Sequence, residues 1–350
     1  MIGIDLFCGA GGMTLGAKFS GIDVLYAIEN DKDAAKTYQT NNDDVILLEC
    51  DIREIKSIPV SRNSELVVFG GPPCQGFSTS NQRTRNKKNP NNWLFKEFIR
   101  LVRSFKPLPD WVVFENVKGF SETENGEFLN EVFEQLAGLG YCISHSVLNA
   151  ADFGIPQKRS RFFAIGSLHG KKISFPSMNS LSPVTVKQAI EDLPSLANGD
   201  SFISKEYRYS PRTDYVKLLR GNATVALNNH VTRNSELVLK RYTYIPQGGN
   251  WEDIPDRLMK NYKDKSRCHT GIYHRLNEDE PSIVIGNYRK NMLIHPWENR
   301  GLSVREAARL QSFPDWYVFE GSIGFQQQQV GNAVPPLLAR EIFSLILNQS

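Results

Sequence analysis

The chain opens with Ile2-Gly3-Ile4-Asp5-Leu6-Phe7-Cys8-Gly9-Ala10-Gly11-Gly12, and residues 13–19 after it are mostly apolar. Apolar residues before a cluster of glycines, then a helical stretch, read as strand, turn and helix. That order opens an α/β fold, and the glycines let the backbone pass close to a nucleotide-like ligand. The spacing is not G-x-G-x-x-G, so the turn by itself does not specify a dinucleotide. A second strand over residues 23–28 runs into Glu29-Asn30-Asp31, placing an acidic side chain where such folds bind ribose hydroxyls. A third over residues 45–48 leads to Asp51-Ile52. Each acid singly also suits a helix cap, but acids recurring at successive strand ends point to a ligand edge.

Further along, Leu66-Val67-Val68-Phe69 reads as a buried strand and runs into Gly70-Gly71-Pro72-Pro73-Cys74-Gln75-Gly76-Phe77-Ser78. Glycines allow close approach and paired prolines stiffen the turn, so one thiol sits on a shaped ledge. A lone cysteine is more often a buried structural residue, and the surroundings of Cys74 argue against that fate. Trp111-Val112-Val113-Phe114 is another buried strand, delivering Glu115-Asn116-Val117 to the same edge and a carboxylate within reach of the thiol. Gln157-Lys158-Arg159-Ser160-Arg161 leads into Phe162-Phe163-Ala164-Ile165. Arg159 and Arg161, two apart on one face of an extended segment, suit a clamp on a base or a phosphate. Near the end, Gln329-Val330-Gly331-Asn332-Ala333-Val334-Pro335-Pro336 precedes an amphipathic helix over residues 337–347.

In this order the segments resemble the cytosine-5 DNA methyltransferase family. Residues 5–12 look like its first motif, Pro72-Pro73-Cys74-Gln75 its nucleophile motif, Glu115-Asn116-Val117 its acid motif, and Gln157 with Arg159 and Arg161 its Q-x-R-x-R motif. Residues 300–314 match its ninth motif and residues 331–335 its last. The resemblance implies a Rossmann-like S-adenosylmethionine-dependent methyltransferase sheet, with a smaller, irregular, β-rich target recognition domain inserted before the C-terminal helix. The expected catalytic domain is 1–169 with 326–350, the recognition domain 170–295, and the connecting hinge 296–325.

The family's chemistry agrees with the residues. Carbon 5 of cytosine is a poor nucleophile, so an enzyme must first add a nucleophile to carbon 6. A thiolate suits that step, and cations lower the free thiol's pKa of roughly 8.5, with Arg159 the candidate by sequence. Glu115, if burial raises its pKa, can protonate ring nitrogen 3 near neutral pH. Cys74, Glu115, Arg159 and Arg161 form the implied catalytic set. The family places Phe7, Gly9, Gly11, Gly12 and Pro73 around S-adenosylmethionine, Glu29 and Asn30 at its ribose, Asp51 and Ile52 at its adenine, and Asn332 and Val334 at its methionine end. Gln75, Ser78, Arg83, Arg85, Lys87 and Gln157 are the expected DNA contacts. The polar, basic stretch over residues 78–92 suits a loop that closes over DNA and holds a flipped base.

Composition sets bounds. Of 350 residues, 41 are Lys or Arg and 38 Asp or Glu, a net charge of +3 that does not by itself announce a nucleic-acid binder. Residues 170–299 hold 19 Lys and Arg against 14 Asp and Glu, so the excess lies in the middle. Tyr207, Arg208, Tyr209, Arg233, Arg241, Tyr242, Tyr244, Trp251, Tyr273, Arg275, Tyr288 and Arg289 interleave there, as phosphate and base contacts or a small core would require. Short β-like runs such as residues 282–285 accompany them. Five cysteines (Cys8, Cys50, Cys74, Cys142, Cys268) make no C-x-x-C pair, which argues against zinc and structural disulfides. No stretch reads as a membrane span. The expectation is a cytoplasmic monomer acting on double-stranded DNA without metal or membrane, a bacterial or phage modification enzyme with a cognate restriction endonuclease. An RNA cytosine-5 methyltransferase on this fold and a catalytically silent DNA-binding protein are the alternatives. A dinucleotide oxidoreductase would leave Pro-Pro-Cys-Gln and Gln-x-Arg-x-Arg unexplained. The glutamine run over residues 326–329 has no evident function.

Overall fold

A computed structural model describes residues 1–73, 93–122, 126–176, 183–260, 271–286, 288 and 292–349. The chain divides into two compact units: Met1–Asn149, Ser160–Asn179 and Pro336–Ser350 form the first, Ala150–Arg159 and Ser180–Pro335 the second.

The first unit holds a seven-stranded sheet of order β3-β2-β1-β4-β5-β7-β6. Its strands are β1 (Ile2–Asp5), β2 (Asp23–Glu29), β3 (Ile46–Glu49), β4 (Leu66–Gly70), β5 (Trp111–Val117), β6 (Cys142–Asn149) and β7 (Ser160–Ser167). The first five are parallel, whereas β7 runs antiparallel to both β5 and β6. All five residues of β4 are buried, as a central parallel strand requires. Helix α1 (Gly12–Phe19) follows β1, α2 (Lys32–Asn41) follows β2, and α3 (Leu94–Ser104) precedes β5. On α3, Phe95, Phe98, Ile99, Leu101 and Val102 recur at helical spacing and are buried, and Phe98 meets Phe114 of β5 edge-on at 5.6 Å. Strand order reverses between β1 and β4, the place where open α/β sheets bind ligands beyond the strands' carboxyl ends.

The second unit is not β-rich among the described residues. Its one sheet is a two-stranded antiparallel pair, β8 (Ser201–Glu206) and β9 (Val225–His230). The run 282–285 makes no strand; Ser282 forms only an isolated bridge to Gln157. Five of the interleaved aromatic and basic residues are interior: Arg241, Tyr242, Tyr273, Arg275 and Tyr288 are buried. Arg241 donates to the Tyr273 hydroxyl at 2.7 Å, and Arg275 donates to the carbonyls of Tyr242, Ile245 and His295. With little sheet to pair them, carbonyls here take their hydrogen bonds from arginines.

Helix Val304–Leu310 shows the same device. It opens with a capping box between Ser303 and Glu306, legible as S-x-x-E. Arg305 donates to the carbonyls of Leu227 (2.9 Å), Pro314 (2.8 Å) and Tyr317 (2.5 Å). Arg309 pairs with Asp315 and, at 3.0 Å, with Asp192, all buried. The glutamine run lies in helix Ile323–Asn332 and ties it into this unit: Gln326 accepts from the Asn228 amide, Gln327 exchanges hydrogen bonds with Thr232, and Gln329 donates to the Glu320 carbonyl. Residues 326–335 therefore belong to the second unit, not with the sheet. Among the described residues one stretch, Ile323–Leu347, is after all long and apolar enough to cross a membrane by length and composition, but 61% of its most apolar window is buried inside the protein, as in a core helix.

Candidate active site

The glycine turn leaves β1 at Asp5. Gly9 (φ 52°) and Gly11 (φ 85°) both take left-handed backbone conformations, and Gly11 caps α1. The space a Cβ at Gly9 would occupy is open to 4 Å. Beside it, Glu29 at the end of β2 is pinned by three backbone N–H groups: Gly9 to Oε2 (2.8 Å), and Asn30 (2.9 Å) and Asp31 (2.8 Å) to Oε1. Burial raises the Glu29 pKa, and these hydrogen bonds oppose the rise. The carboxylate is thus fixed in direction with acceptor capacity left on Oε2. Asn30 is exposed and Phe7 half-buried.

Beneath the turn lies a buried polar chain that sequence reasoning missed. Asp5 accepts the Thr14 hydroxyl at 2.8 Å, and Thr14 shares a 3.0 Å hydrogen bond with the Tyr38 hydroxyl. Burial pushes the Asp5 carboxyl up to about 7. A threonine one turn into α1 gave the only signal of it.

After β3, Asp51 caps the short turn Ile52–Glu54 and pairs with Arg53, whose side-chain and backbone hydrogen bonds hold the Asp51 carboxyl at about 2. Ile52 is buried in the main core.

At the β4–β5 edge the geometry tightens. Glu115 is 7% exposed and forms an ion pair with Arg161, Nε to Oε1 at 3.0 Å. The register explains the pairing: Val117 lies opposite Arg161, so Glu115, two residues back, faces Arg161 diagonally on the same side of the sheet. A Cβ on Gly71 would stand 2.4 Å from Glu115 Oε2, so a larger residue in the turn after β4 would displace this carboxylate. The Asn116 amide donates to the Pro72 carbonyl at 3.3 Å, anchoring the same turn. Sequence reading placed Glu115 just past its strand, whereas β5 carries it to Val117. Pro73 is exposed at the end of this turn. Cys74, Gln75, Ser78, Arg83, Arg85 and Lys87 lie outside the described residues.

Two expected site residues have other partners. Gln157, expected at DNA, is fully buried: its amide donates to Gln311 Oε1 (2.9 Å) and the Leu310 carbonyl (3.3 Å), and its Oε1 accepts from Ile285 N–H (2.9 Å). Arg159, expected to act on the thiol, is 1% exposed and donates to the carbonyls of Ile285 (3.0 Å), Gly331 (2.9 Å) and Ala333 (3.0 Å). Extended spacing put both arginines on one face but could not say that a helix end would meet Arg159. Asn332 is exposed and Val334 buried beyond that helix end. Among the described residues no cluster of three His, Cys, Asp or Glu side chains could hold a metal ion.

Residues 1–348 match the family model for C-5 cytosine-specific DNA methylases. The chain is 37% identical to the Type II methyltransferase M1.HphI of Haemophilus parahaemolyticus, covering 99% of this chain and 87% of that protein. It is 32% identical to M.DdeI of Desulfomicrobium norvegicum over 97% of this chain and 86% of that one. Among solved structures, a prophage-encoded candidate DNA modification methyltransferase from E. coli superposes with a TM-score of 0.80 at 26% identity, covering 99% of both chains.

Proposed function

The chain belongs to the C-5 cytosine-specific DNA methylase family, and from that membership we propose how it works as a DNA cytosine-5 methyltransferase. It transfers a methyl group from S-adenosylmethionine to carbon 5 of a flipped cytosine within a specific double-stranded DNA sequence, through a covalent adduct on Cys74. The observation that carries this reading is the Glu115–Arg161 pair at 3.0 Å, set against the turn that runs into Pro72-Pro73-Cys74.

The Cys74 thiolate adds to carbon 6, and the electron pair of the 5,6 double bond makes carbon 5 nucleophilic. Glu115 hands a proton to ring nitrogen 3 as the ring gains electron density, and Arg161 holds that carboxyl in direction. The proton on carbon 5 then leaves to water, the carbon 6–sulfur bond breaks to return the Cys74 thiolate, and nitrogen 3 gives its proton back to Glu115.

The turn after β1 fits the cofactor: Gly9 leaves space, and the fixed Glu29 carboxylate suits a ribose hydroxyl. S-adenosylmethionine, when bound, supplies an electrophilic methyl group. Phe7, Gly12 and Pro73 border that space, Asn30 flanks the ribose, Asp51 and Ile52 the adenine, and Asn332 and Val334 the methionine end. Gln75, Ser78, Arg83, Arg85 and Lys87 hold phosphates while the base is out of the stack, which costs a few kcal/mol. Sequence reading falls to the second unit, whose exposed Arg208, Arg233 and Tyr244 are available where Arg241 and Arg275 are not. With Type II methyltransferases as relatives, the enzyme serves as the modification partner of a restriction endonuclease in the cytoplasm, as a monomer.

Bisulfite sequencing of plasmid from expressing cells should reveal one methylated sequence context, and Cys74→Ala should erase it. Duplex DNA carrying 5-fluorocytosine should trap the wild type as a denaturation-resistant adduct. An adduct that persists in the alanine variant would remove Cys74 from the mechanism.

A further inference from the structure

We propose that Arg159 is a positioning residue: with Gln157 it latches the turn over residues 331–334 to the segment 282–286, and so sets the affinity for S-adenosylmethionine. The proposal rests on the reading of Asn332 and Val334 as contacts to the methionine end.

Helix Ile323–Asn332 ends at this turn, where its last carbonyls lack partners within the helix and carry the negative end of its dipole. Arg159 answers both needs. One guanidinium nitrogen donates to the Gly331 and Ala333 carbonyls on either side of Asn332, and the other donates to the Ile285 carbonyl. A planar fork of donors can meet three carbonyls at once; a lysine ammonium on a thinner stem cannot hold them in one plane.

Gln157 doubles the link two residues earlier. Its Oε1 takes the Ile285 N–H while its amide nitrogen reaches Gln311, whose own amide donates to the Val330 carbonyl at 2.7 Å. The backbone seals the segment from the other side, with Lys158 N–H on the Ser282 carbonyl (2.8 Å) and Ser282 N–H on the Pro156 carbonyl (2.9 Å). The contact is close enough that a Cβ on Gly331 would fall 2.1 Å from the Gly286 carbonyl oxygen. Residues 157, 159, 285, 286 and 331 all lie in the second unit, so the latch is internal to one compact body. Asn332, the last residue of the helix, is exposed between the two carbonyls that Arg159 holds.

Isothermal titration of the full-length enzyme with S-adenosylmethionine, without DNA, tests this. Arg159→Lys should weaken binding about tenfold or more, the scale of one or two lost charge-assisted hydrogen bonds. Gly331→Ala, which pushes the same helix end off Gly286 while leaving the Arg159 side chain itself unchanged, should weaken it in the same direction. Circular dichroism melts establish that each variant is folded, and at saturating cofactor the pH midpoint of turnover in Arg159→Lys should stay at the wild-type value. Wild-type cofactor affinity with a displaced pH midpoint would instead place Arg159 at the thiol and overturn the latch. Asn332→Ala separates the premises: if it binds cofactor as well as wild type, the reading of the turn as a cofactor contact fails. If Asn332→Ala binds weakly while Arg159→Lys and Gly331→Ala bind normally, that reading stands and the latch fails.

Discussion

The two compact units solve the same problem, satisfying the backbone in a dry interior, in opposite ways. In the first, strands satisfy one another, and the interior is left to apolar side chains such as those of β4 and α3. In the second, with one short strand pair among its described residues, buried arginines at positions 159, 275, 305 and 309 reach out to carbonyls and carboxylates. Arg159 and Arg161 condense the difference into two residues of separation: one holds three carbonyls, the other pairs with the Glu115 carboxylate besides the carbonyl of its neighbour Ser160. An arginine's meaning depends on whether the backbone around it already has partners.

The largest effect should come from breaking the second unit's own device. Arg309→Met leaves Asp192 and Asp315 buried without their shared cation, and truncating one partner of such a pair costs about 3–5 kcal/mol. Urea denaturation should register that loss, and replacing all three residues by apolar ones of similar volume should recover most of it. A single-variant loss below about 1 kcal/mol, the scale of an exposed pair, would contradict the contrast between the units.

A second effect, at most comparable, should sharpen it from the other side, at a carboxyl the sheet unit buries without a cation. Asp5 is raised to about 7, first by burial, with the Thr14 hydroxyl and Phe7 N–H pulling it down and the Glu29 charge pushing it up. Its unfolded value lies near 4, so between about pH 4 and 7 the folded state binds the proton more tightly. Stability from this group is therefore complete below pH 4 and lost as pH rises to 7. The wild type should lose up to about 1.4 kcal/mol per pH unit across that window relative to Asp5→Asn, read from denaturation midpoints. Parallel profiles for the two proteins would mean that the Asp5–Thr14–Tyr38 chain does not exclude charge.

Much of the first unit was legible because periodicity and burial coincide there. Residues 66–69 and 111–114 are continuous apolar runs, and the structure makes them neighbouring parallel strands. Glu115, Glu29 and the glycine turn followed, since a strand's end fixes where the next side chain stands. The second unit was opaque for the complementary reason. Tyr273 and Arg241 look the same in sequence whether they face a phosphate or each other, and only the pairing at 2.7 Å tells. The partners of Gln157 were hidden likewise, because an amide with both ends satisfied inside the protein has no signature in the chain.

The most direct test of the central claim, that the Glu115–Arg161 pair is the proton-handling element of cytosine methylation, is single-turnover methylation by Glu115→Gln alongside its affinity for S-adenosylmethionine. The rate should fall by roughly 10²–10⁴-fold, the range for a lost general acid, while cofactor affinity stays at the wild-type value. Normal turnover with collapsed cofactor binding would put Glu115 in the wrong pocket and contradict the account.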